Sequence, residues 1–252
     1  TPYHFEIANL ALDKDCHLFI EKPITDNIKH AGLLLNKAEK SNKIIQVGHI
    51  ERFNPAFTVL KNLDIQPRFI EAHRLAEFNP RGNDVPVILD LMIHDLDIIL
   101  SLVKSNIKDI RANGVKVISS TVDIANARLE FENGCVANLT ASRISQKVMR
   151  KMRLFQTEDY ITIDFQNGII EEYKVFDDPP TPEKDDQVVE LGGNEKKYVL
   201  YRKPDVPKHD ALKEELIHFA NSIQNAQKPE TDGESAAKAL SLALKIQQII
   251  DQ

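Results

Sequence analysis

The stretch Leu18-Phe19-Ile20-Glu21-Lys22-Pro23 decides the fold, because a short apolar run ends there in a charged pair and a proline. A short apolar run of this kind is typical of a buried parallel strand. In open α/β sheets, ligands bind just outside the carboxyl ends of the strands, so a lysine there can face a cofactor or a substrate oxygen. The alternative is an ordinary charged strand end, and the tripeptide alone does not decide between the two.

The first fifty residues alternate between helical and strand patterns. A helix reaches Leu12, the apolar run forms a strand, a second helix is predicted over 26–41 with Thr25 as its N-cap, and a second strand over 44–47. This order is typical of a parallel βαβ unit. Because no strand precedes the first helix, we expect the chain to start in the middle of a fold.

The middle of the chain shows the two-residue alternation of antiparallel strands. Asn133-Gly134 and Asn167-Gly168 lie between such runs and supply the positive φ angles of hairpin turns. The predicted strands cover 68–75, 122–131, 135–143, 149–156, 160–165 and 169–175.

Irregular and helical segments complete the chain. The acid- and proline-rich segment 177–182 is predicted to be an exposed loop. Two helices follow, over 210–224 and 234–250. The last one is apolar over a wide arc, which predicts that it packs against another element.

Composition excludes several classes of protein. A net charge of -6 argues against a partner that is nucleic acid or an anionic membrane. No apolar stretch approaches the roughly 20 residues that a bilayer span needs. Cys16 and Cys135 lie far apart and indicate neither a disulfide framework nor a zinc knuckle, so a reducing cytoplasm fits best.

A second motif lies in the apolar segment 87–100. Asp90, His94 and Asp97 stand at i, i+4 and i+7, which puts them on one polar stripe of a helix. A carboxylate one turn from an imidazole can orient the ring and raise its basicity, so the stripe indicates a residue that takes up a proton. A buried structural pair is an equal alternative. The other histidines show no ligand spacing, and we expect no metal.

Taken in order, five motifs resemble the Gfo/Idh/MocA family, named after glucose-fructose oxidoreductase and inositol dehydrogenase. They are Thr1-Pro2-Tyr3-His4, Glu21-Lys22-Pro23, Val47-Gly48-His49 with Arg52-Phe53-Asn54-Pro55, Asp90 to Asp97, and Gly233-Glu234-Ser235-Ala236. The resemblance covers nearly the whole chain. Each motif alone is weak, whereas the ordered set is specific.

The resemblance implies an α/β fold: the C-terminal part of a Rossmann domain, followed by an α+β domain with a large, mostly antiparallel sheet. We expect a Rossmann remnant in 1–50, a substrate and oligomerisation domain in 51–230, and a C-terminal helix in 231–252 that packs back on the Rossmann part. The family's Gly-x-Gly-x-x-Gly turn is absent from the sequence. We therefore expect Thr1 to follow the family's fourth strand in a truncated chain.

The resemblance also implies an NAD(P)-dependent oxidoreductase that transfers a hydride between NAD or NADP and a CH-OH group of a sugar, polyol or nucleotide sugar. Lys22, His94 and Asp90 match the catalytic positions. The positions that line the dinucleotide are matched by Thr1, Pro2, His4, Glu21, Lys22 and Pro23. A non-catalytic binding or regulatory protein that kept the sheet domain is the alternative, favoured by the absent glycine turn.

Substrate contacts are predicted at Arg52, Asn54, Arg74 and Arg143, although Arg74 and Arg143 are as easily solvated strand residues. The motif around Arg52 is most similar to family members that act on UDP-N-acetyl amino sugars. Since relatives pair through the open face of the large sheet, a homodimer or homotetramer through that face is expected. The choice between NAD and NADP is set in a part of the Rossmann fold that the sequence does not contain.

Overall fold

The computed structural model describes residues 1–80, 85–193 and 196–252. Within them, the helices are α1 His4–Asp13, α2 Ile28–Lys40, α3 Pro55–Leu60, α4 Ile93–Leu102, α5 Ala211–Gln224 and α6 Gly233–Ile250. The strands are β1 Leu18–Glu21, β2 Ile45–Gly48, β3 Phe69–Leu75, β4 Ile107–Val115, β5 Ile124–Phe131, β6 Val136–Ser142, β7 Met149–Gln156, β8 Asp159–Asp164, β9 Ile169–Phe176, β10 Gln187–Leu191 and β11 Lys197–Arg202.

The strands form two sheets. Strands β1 and β2 pair in parallel, with Glu21 opposite Gly48 at their carboxyl ends. The other nine form one sheet in the order β10-β11-β9-β8-β7-β3-β6-β5-β4. All its neighbours are antiparallel except β3 and β6, which are parallel. The predicted fold class, a Rossmann-like part followed by a large and mostly antiparallel sheet, is confirmed.

Four details differ from the sequence-based prediction. Asn27, not Thr25, caps α2, because its side chain accepts a hydrogen bond from the backbone N–H of His30 at 2.9 Å. Strands β4 and β10 were not predicted, nor was β11, the only sheet neighbour of β10. Both β4 and β10 are edge strands, and every residue of β10 is exposed, so neither shows the alternation of a strand with one fully buried face.

Helix α6 packs into both hydrophobic cores. Ala236 and Leu240 join the core formed by β1, β2, α1 and α2. One to two turns further on, Ala243 and Ile246 join the core between the large sheet and α4. The helix starts against α2, since a Cβ added to Gly233 would lie 2.5 Å from a methyl carbon of Leu35. This helix therefore holds the two cores together.

Helix α5 lies on the opposite face of the two-stranded sheet. The Phe219 ring packs on that of Phe19 with their centroids 5.7 Å apart, and Gln46 Nε2 donates a hydrogen bond to the Glu215 carbonyl at 3.0 Å. Helix α5, which the sequence analysis assigned to the second domain (51–230), thus covers part of the first domain (1–50). The boundaries 1–50, 51–230 and 231–252 stay a prediction. None of the described helices has the length and apolar composition needed to cross a bilayer.

We expect Leu240→Ala to lower the free energy of unfolding by about 2–5 kcal/mol, because it leaves a cavity where α6 meets the first core. Leu240 is fully buried, whereas Lys238 on the same helix is exposed. Chemical denaturation monitored by circular dichroism measures the change, with Lys238→Ala as the control. Equal stability of the two variants would contradict the bridging role of α6.

Candidate active site

Lys22 links the end of β1 to the segment that leads into α4. Its Nζ donates hydrogen bonds to the Asp90 backbone carbonyl at 2.6 Å and to Asp90 Oδ1 at 3.3 Å. The lysine side chain is 20% exposed and that of Asp90 44% exposed, so the pair lies where solutes can reach it. The structure thus brings together two of the three predicted catalytic residues, which are 68 positions apart in sequence.

Asp90 lies in a π-helical turn, Ile88–Met92, which runs directly into α4. A π turn contains one more residue than an α turn, so the predicted one-turn stacking of Asp90 on His94 is not kept. Among the described residues, no hydrogen bond joins these two side chains, and His94 Nδ1 has no partner. The interpretation that Asp90 orients the imidazole is therefore wrong, and Asp90 holds Lys22 instead.

The surroundings of His94 keep its imidazole ring neutral. Burial lowers its pKa well below the ordinary value, and the positive charges of Arg74 and Lys22 lower it further. The ring stands nearly perpendicular to that of His49, with 6.4 Å between the centroids. At neutral pH the ring is therefore unprotonated and free to accept a proton.

His49 is a member of this site that the sequence analysis did not select. It follows β2, is 1% exposed, and has no hydrogen-bond partner for either ring nitrogen among the described residues. Burial lowers its pKa, while Asp97 opposes the shift. The parallel register could have revealed it: Glu21 pairs with Gly48, so Lys22 and His49 leave adjacent strand ends together.

Two buried ion pairs anchor the residues that directly follow His94 on α4. Asp95 accepts two hydrogen bonds from Arg74, at 3.0 and 2.8 Å, and Arg74 also bonds Glu51 at 2.8 Å. Asp97 accepts a 2.7 Å bond from Arg52 Nε. Arg74 is 3% exposed and Arg52 8% exposed, so both charges are paired with carboxylates inside the protein.

The other two predicted substrate residues are also bonded internally. Asn54 caps α3 through Ala56 N–H and donates to the Phe165 carbonyl at 2.9 Å. Arg143 is 5% exposed and donates to the carbonyls of Val85 and Val122. These contacts favour a structural role for Arg52, Asn54, Arg74 and Arg143 over the predicted contact with substrate. Each of these four side chains donates at least one hydrogen bond to a protein carboxylate or carbonyl, which the sequence alone does not show.

The predicted dinucleotide positions surround Lys22. His4 Nδ1 lies 2.8 Å from the Pro23 carbonyl, which joins the start of α1 to the end of β1. Thr1, Pro2 and Glu21 are exposed. The Thr1 hydroxyl and the Glu21 carboxylate can bond ribose hydroxyls, so this edge fits a dinucleotide chemically. In the ranges that the structure describes, no group of three His, Cys, Asp or Glu side chains could hold a metal ion.

Comparison with known proteins identifies the family. Residues 1–49 match the model of the oxidoreductase family with an NAD-binding Rossmann fold, and residues 67–171 match that of the GFO/IDH/MocA C-terminal domain. The chain is 35% identical over its whole length to UDP-N-acetylglucosamine 3-dehydrogenase of Acidithiobacillus ferrooxidans, and covers 76% of that enzyme. The chain belongs to the Gfo/Idh/MocA family.

Further relatives agree with this assignment. A crystal structure of the Acidithiobacillus ferrooxidans enzyme matches with a TM-score of 0.88 and 34% identity, over 100% of this chain and 76% of that one. Myo-inositol 2-dehydrogenase of Thermotoga maritima is 21% identical over 100% of the chain and 75% of its own length. The Gfo/Idh/MocA protein is an oxidoreductase that transfers a hydride with NAD or NADP as the cofactor. That confirms the predicted enzyme class over the non-catalytic alternative.

We expect Arg74→Met to lower the free energy of unfolding by about 3–5 kcal/mol, because Asp95 and Glu51 would keep buried charges without a partner. Arg111→Met is the control, since that arginine side chain is 76% exposed and its loss should change stability by less than about 0.5 kcal/mol. Urea unfolding measures both. If Arg74→Met left the stability unchanged, the structural role of Arg74 would be contradicted, and a contact with substrate would again be the better interpretation.

Proposed function

We propose that the protein oxidises a secondary hydroxyl group of a nucleotide-linked amino sugar, with UDP-N-acetylglucosamine as the first substrate to test. The observation that carries the proposal is the 35% identity, over the whole chain, to a dehydrogenase of that compound. Lys22, which Asp90 holds, and the neutral His94 would supply the chemistry. Hydride transfer needs a group that takes the hydroxyl proton and a cation beside the oxygen.

Each residue then has a defined task. When bound, the nicotinamide accepts or returns the hydride. His94, neutral because of its surroundings, takes the hydroxyl proton. Lys22 donates a hydrogen bond to the oxygen as negative charge develops on it, and Asp90 holds the ammonium group in place. Thr1, Pro2, His4, Glu21, Lys22 and Pro23 hold the dinucleotide.

A cyclic polyol is the second candidate substrate. The three arginines predicted to contact substrate are bonded to protein carboxylates or carbonyls, so none of them is offered to a diphosphate. An uncharged polyol needs no such cation. Initial rates of NAD(P) reduction by the full-length gene product decide between the two. Turnover of UDP-N-acetylglucosamine without turnover of myo-inositol supports the first candidate, and the reverse result supports the second.

We expect His94→Asn to lower kcat in the full-length gene product by about 10²- to 10⁴-fold, because the proton acceptor is lost. The lowered pKa keeps His94 neutral in mildly acidic solution, so the acidic limb of the wild-type kcat/KM profile should lie below pH 6.5. His17→Asn is the matched control, because His17 directly precedes β1, at the strand end away from Lys22. Unchanged turnover in His94→Asn would overturn the assigned role.

We also propose that the chain forms a homo-oligomer through the open face of the nine-stranded sheet. Five half-buried rings form a continuous row across that face, with neighbouring centroids 4.7–5.7 Å apart. They are Phe69, Phe155, Tyr160, Tyr173 and Tyr201. An apolar row of this kind suits a two-fold contact between identical surfaces.

We expect Tyr173→Lys to dissociate the oligomer, because two copies of the new charge would meet near the symmetry axis. Sedimentation velocity measures the mass of the particle. Leu33→Lys, at an exposed position of α2, is the control and should keep the wild-type mass. Identical masses for the two variants would exclude the sheet face as the interface.

We further propose that the enzyme works in the cytoplasm. Cys16 and Cys135 are both free thiols, and Cys135 is buried. Unpaired cysteines and a dinucleotide cofactor are consistent with a reducing compartment. Fractionation of cells that produce a tagged full-length protein would test the location.

A further inference from the structure

Arg150 is an arginine near the candidate site to which the chemistry described above gives no task. It lies at the start of β7, and its side chain is 51% exposed. Among the residues that the structure describes, its guanidinium makes one ion pair, from Nη1 to Glu51 Oε1 at 3.9 Å, and that distance is too long for a hydrogen bond. The donors of this guanidinium are therefore available to a solute.

The strand register directs Arg150 to the covered face of the large sheet. It lies directly opposite Arg74 in the antiparallel pair of β3 and β7, so both side chains point to the same face. On β7 that face continues with Met152 and Leu154, which are fully buried. Arg150 thus stands where the hydrophobic core ends and solvent begins. Its backbone is fixed there, because its carbonyl accepts a hydrogen bond from Phe165 N–H at 2.8 Å.

A series of contacts leads from Arg150 to His94. The Glu51 oxygen that lies 3.9 Å from Arg150 also accepts a hydrogen bond from Arg74 Nη1 at 2.8 Å. Arg74 in turn bonds Asp95, the residue that follows His94 on α4. Burial lowers the pKa of His94, and the charge of Arg150 is among those that add to the shift. The exposed guanidinium is therefore close to the proposed proton acceptor.

The proposed nucleotide-sugar substrate needs a cation close to the reacting carbon. In UDP-N-acetylglucosamine the diphosphate is attached to C1, and only C2 separates that carbon from C3, at which the Acidithiobacillus ferrooxidans relative is named to act. When the C3 hydroxyl group lies at His94, the diphosphate must lie near His94 as well. An arginine suits this place, since its planar guanidinium donates two parallel hydrogen bonds to phosphate oxygens.

We propose that Arg150 binds the diphosphate of a nucleotide-sugar substrate and thereby determines the preference for that substrate over an uncharged polyol. This inference rests on the proposed function and names the group that recognises the charged part of the substrate. Arg150 binds the phosphate oxygens, while Lys22 and His94 act at the hydroxyl group. The other three arginines near the site are bonded to protein carboxylates or carbonyls.

Glu51 does not need Arg150 as a partner. Both oxygens of this buried carboxylate accept hydrogen bonds from other side chains: Oε1 from Arg74 at 2.8 Å and Oε2 from Asn54 at 3.1 Å. When Arg150 turns to a phosphate, Glu51 keeps both bonds, so no buried charge is left without a partner. Only a long and half-exposed ion pair is given up, and pairs of that kind contribute little to stability.

Steady-state kinetics of the full-length gene product test the proposal. We expect Arg150→Gln to raise KM for UDP-N-acetylglucosamine on the order of 10- to 100-fold and to leave kcat nearly unchanged, because the lost contacts stabilise substrate and transition state alike. The rates are measured at a pH well above the ordinary pKa of histidine, so that His94 stays neutral in every variant. Arg150→Lys should lose less, since it keeps the charge without the two parallel hydrogen bonds.

Arg111→Gln is the matched control. Arg111 is also an exposed arginine beside a single carboxylate, that of Asp109, but it lies on β4 at the far edge of the sheet. This variant should keep the wild-type constants.

Calorimetric titration with UDP provides a readout besides activity. We expect Arg150→Gln to lower the affinity of the full-length protein for UDP by a factor similar to the change in KM, and Arg111→Gln to leave it unchanged. Chemical denaturation of the same variants should show that Arg150→Gln is as stable as the wild type, in contrast to Arg74→Met.

Two results would overturn the assignment of Arg150. The first is a KM and a UDP affinity in Arg150→Gln that both equal those of the wild type. The second is a large loss of stability with unchanged UDP affinity, which would make Arg150 a structural partner of Glu51.

Failure of this inference and failure of the proposed function give different results. If the wild type oxidises UDP-N-acetylglucosamine and Arg150→Gln does so with the same KM, the proposed function stands and Arg150 has no part in it. If the wild type does not oxidise this compound but binds UDP through Arg150, the proposed substrate is wrong and the diphosphate site stands. A wild type that neither oxidises UDP-N-acetylglucosamine nor binds UDP would overturn both.

Discussion

Two buried ion pairs hold the helix that carries His94, the proposed proton acceptor. Asp95 is fixed to Arg74 on β3, and Asp97 is fixed to Arg52 in the turn after β2. Both aspartates follow His94 on α4, by one and three residues. The helix can therefore neither slide nor rotate without exposing an unpaired buried charge, which costs several kcal/mol. The position of the imidazole is therefore set before any ligand arrives, and such preorganisation lets an active site act without rearrangement.

The other half of the site depends on packing between cores. Lys22 belongs to the small parallel sheet and Asp90 to the segment under the large sheet, so the bond between them spans two hydrophobic cores. Helix α6 contributes side chains to both cores and fixes the distance between them. Its close contact with Leu35 at Gly233 shows how little room that arrangement has. The catalytic geometry is thus a consequence of one shared helix.

The sequence predicted the elements better than the contacts. Alternation and Asn-Gly turns were enough for the central strands, whose inner faces are buried, but β10 and β4 lie at the sheet edges and carry little pattern. The predicted pairing of Asp90 with His94 was wrong because helical periodicity assumes 3.6 residues per turn, and a π turn contains more residues than that. The roles of Arg52 and Arg74 could not be predicted, since their carboxylate partners lie 45 and 21 positions away. His49 could have been selected from the parallel register of β1 and β2, which places it beside Lys22.

In the proposed mechanism, the burial of His94 and the charges around it favour proton transfer that occurs together with oxyanion formation. Burial of the imidazole opposes its protonation, and the charges of Arg74 and Lys22 add to this effect, so a proton that arrived alone would create a buried charge without a partner. A substrate oxygen that becomes negative beside Lys22 removes this penalty, because the new anion and the new imidazolium appear at the same time. The site therefore disfavours proton uptake in the absence of substrate. It favours proton uptake by His94 when a substrate hydroxyl group lies between Lys22 and His94. This stabilisation is largest in the transition state, when the hydride has partly left the carbon.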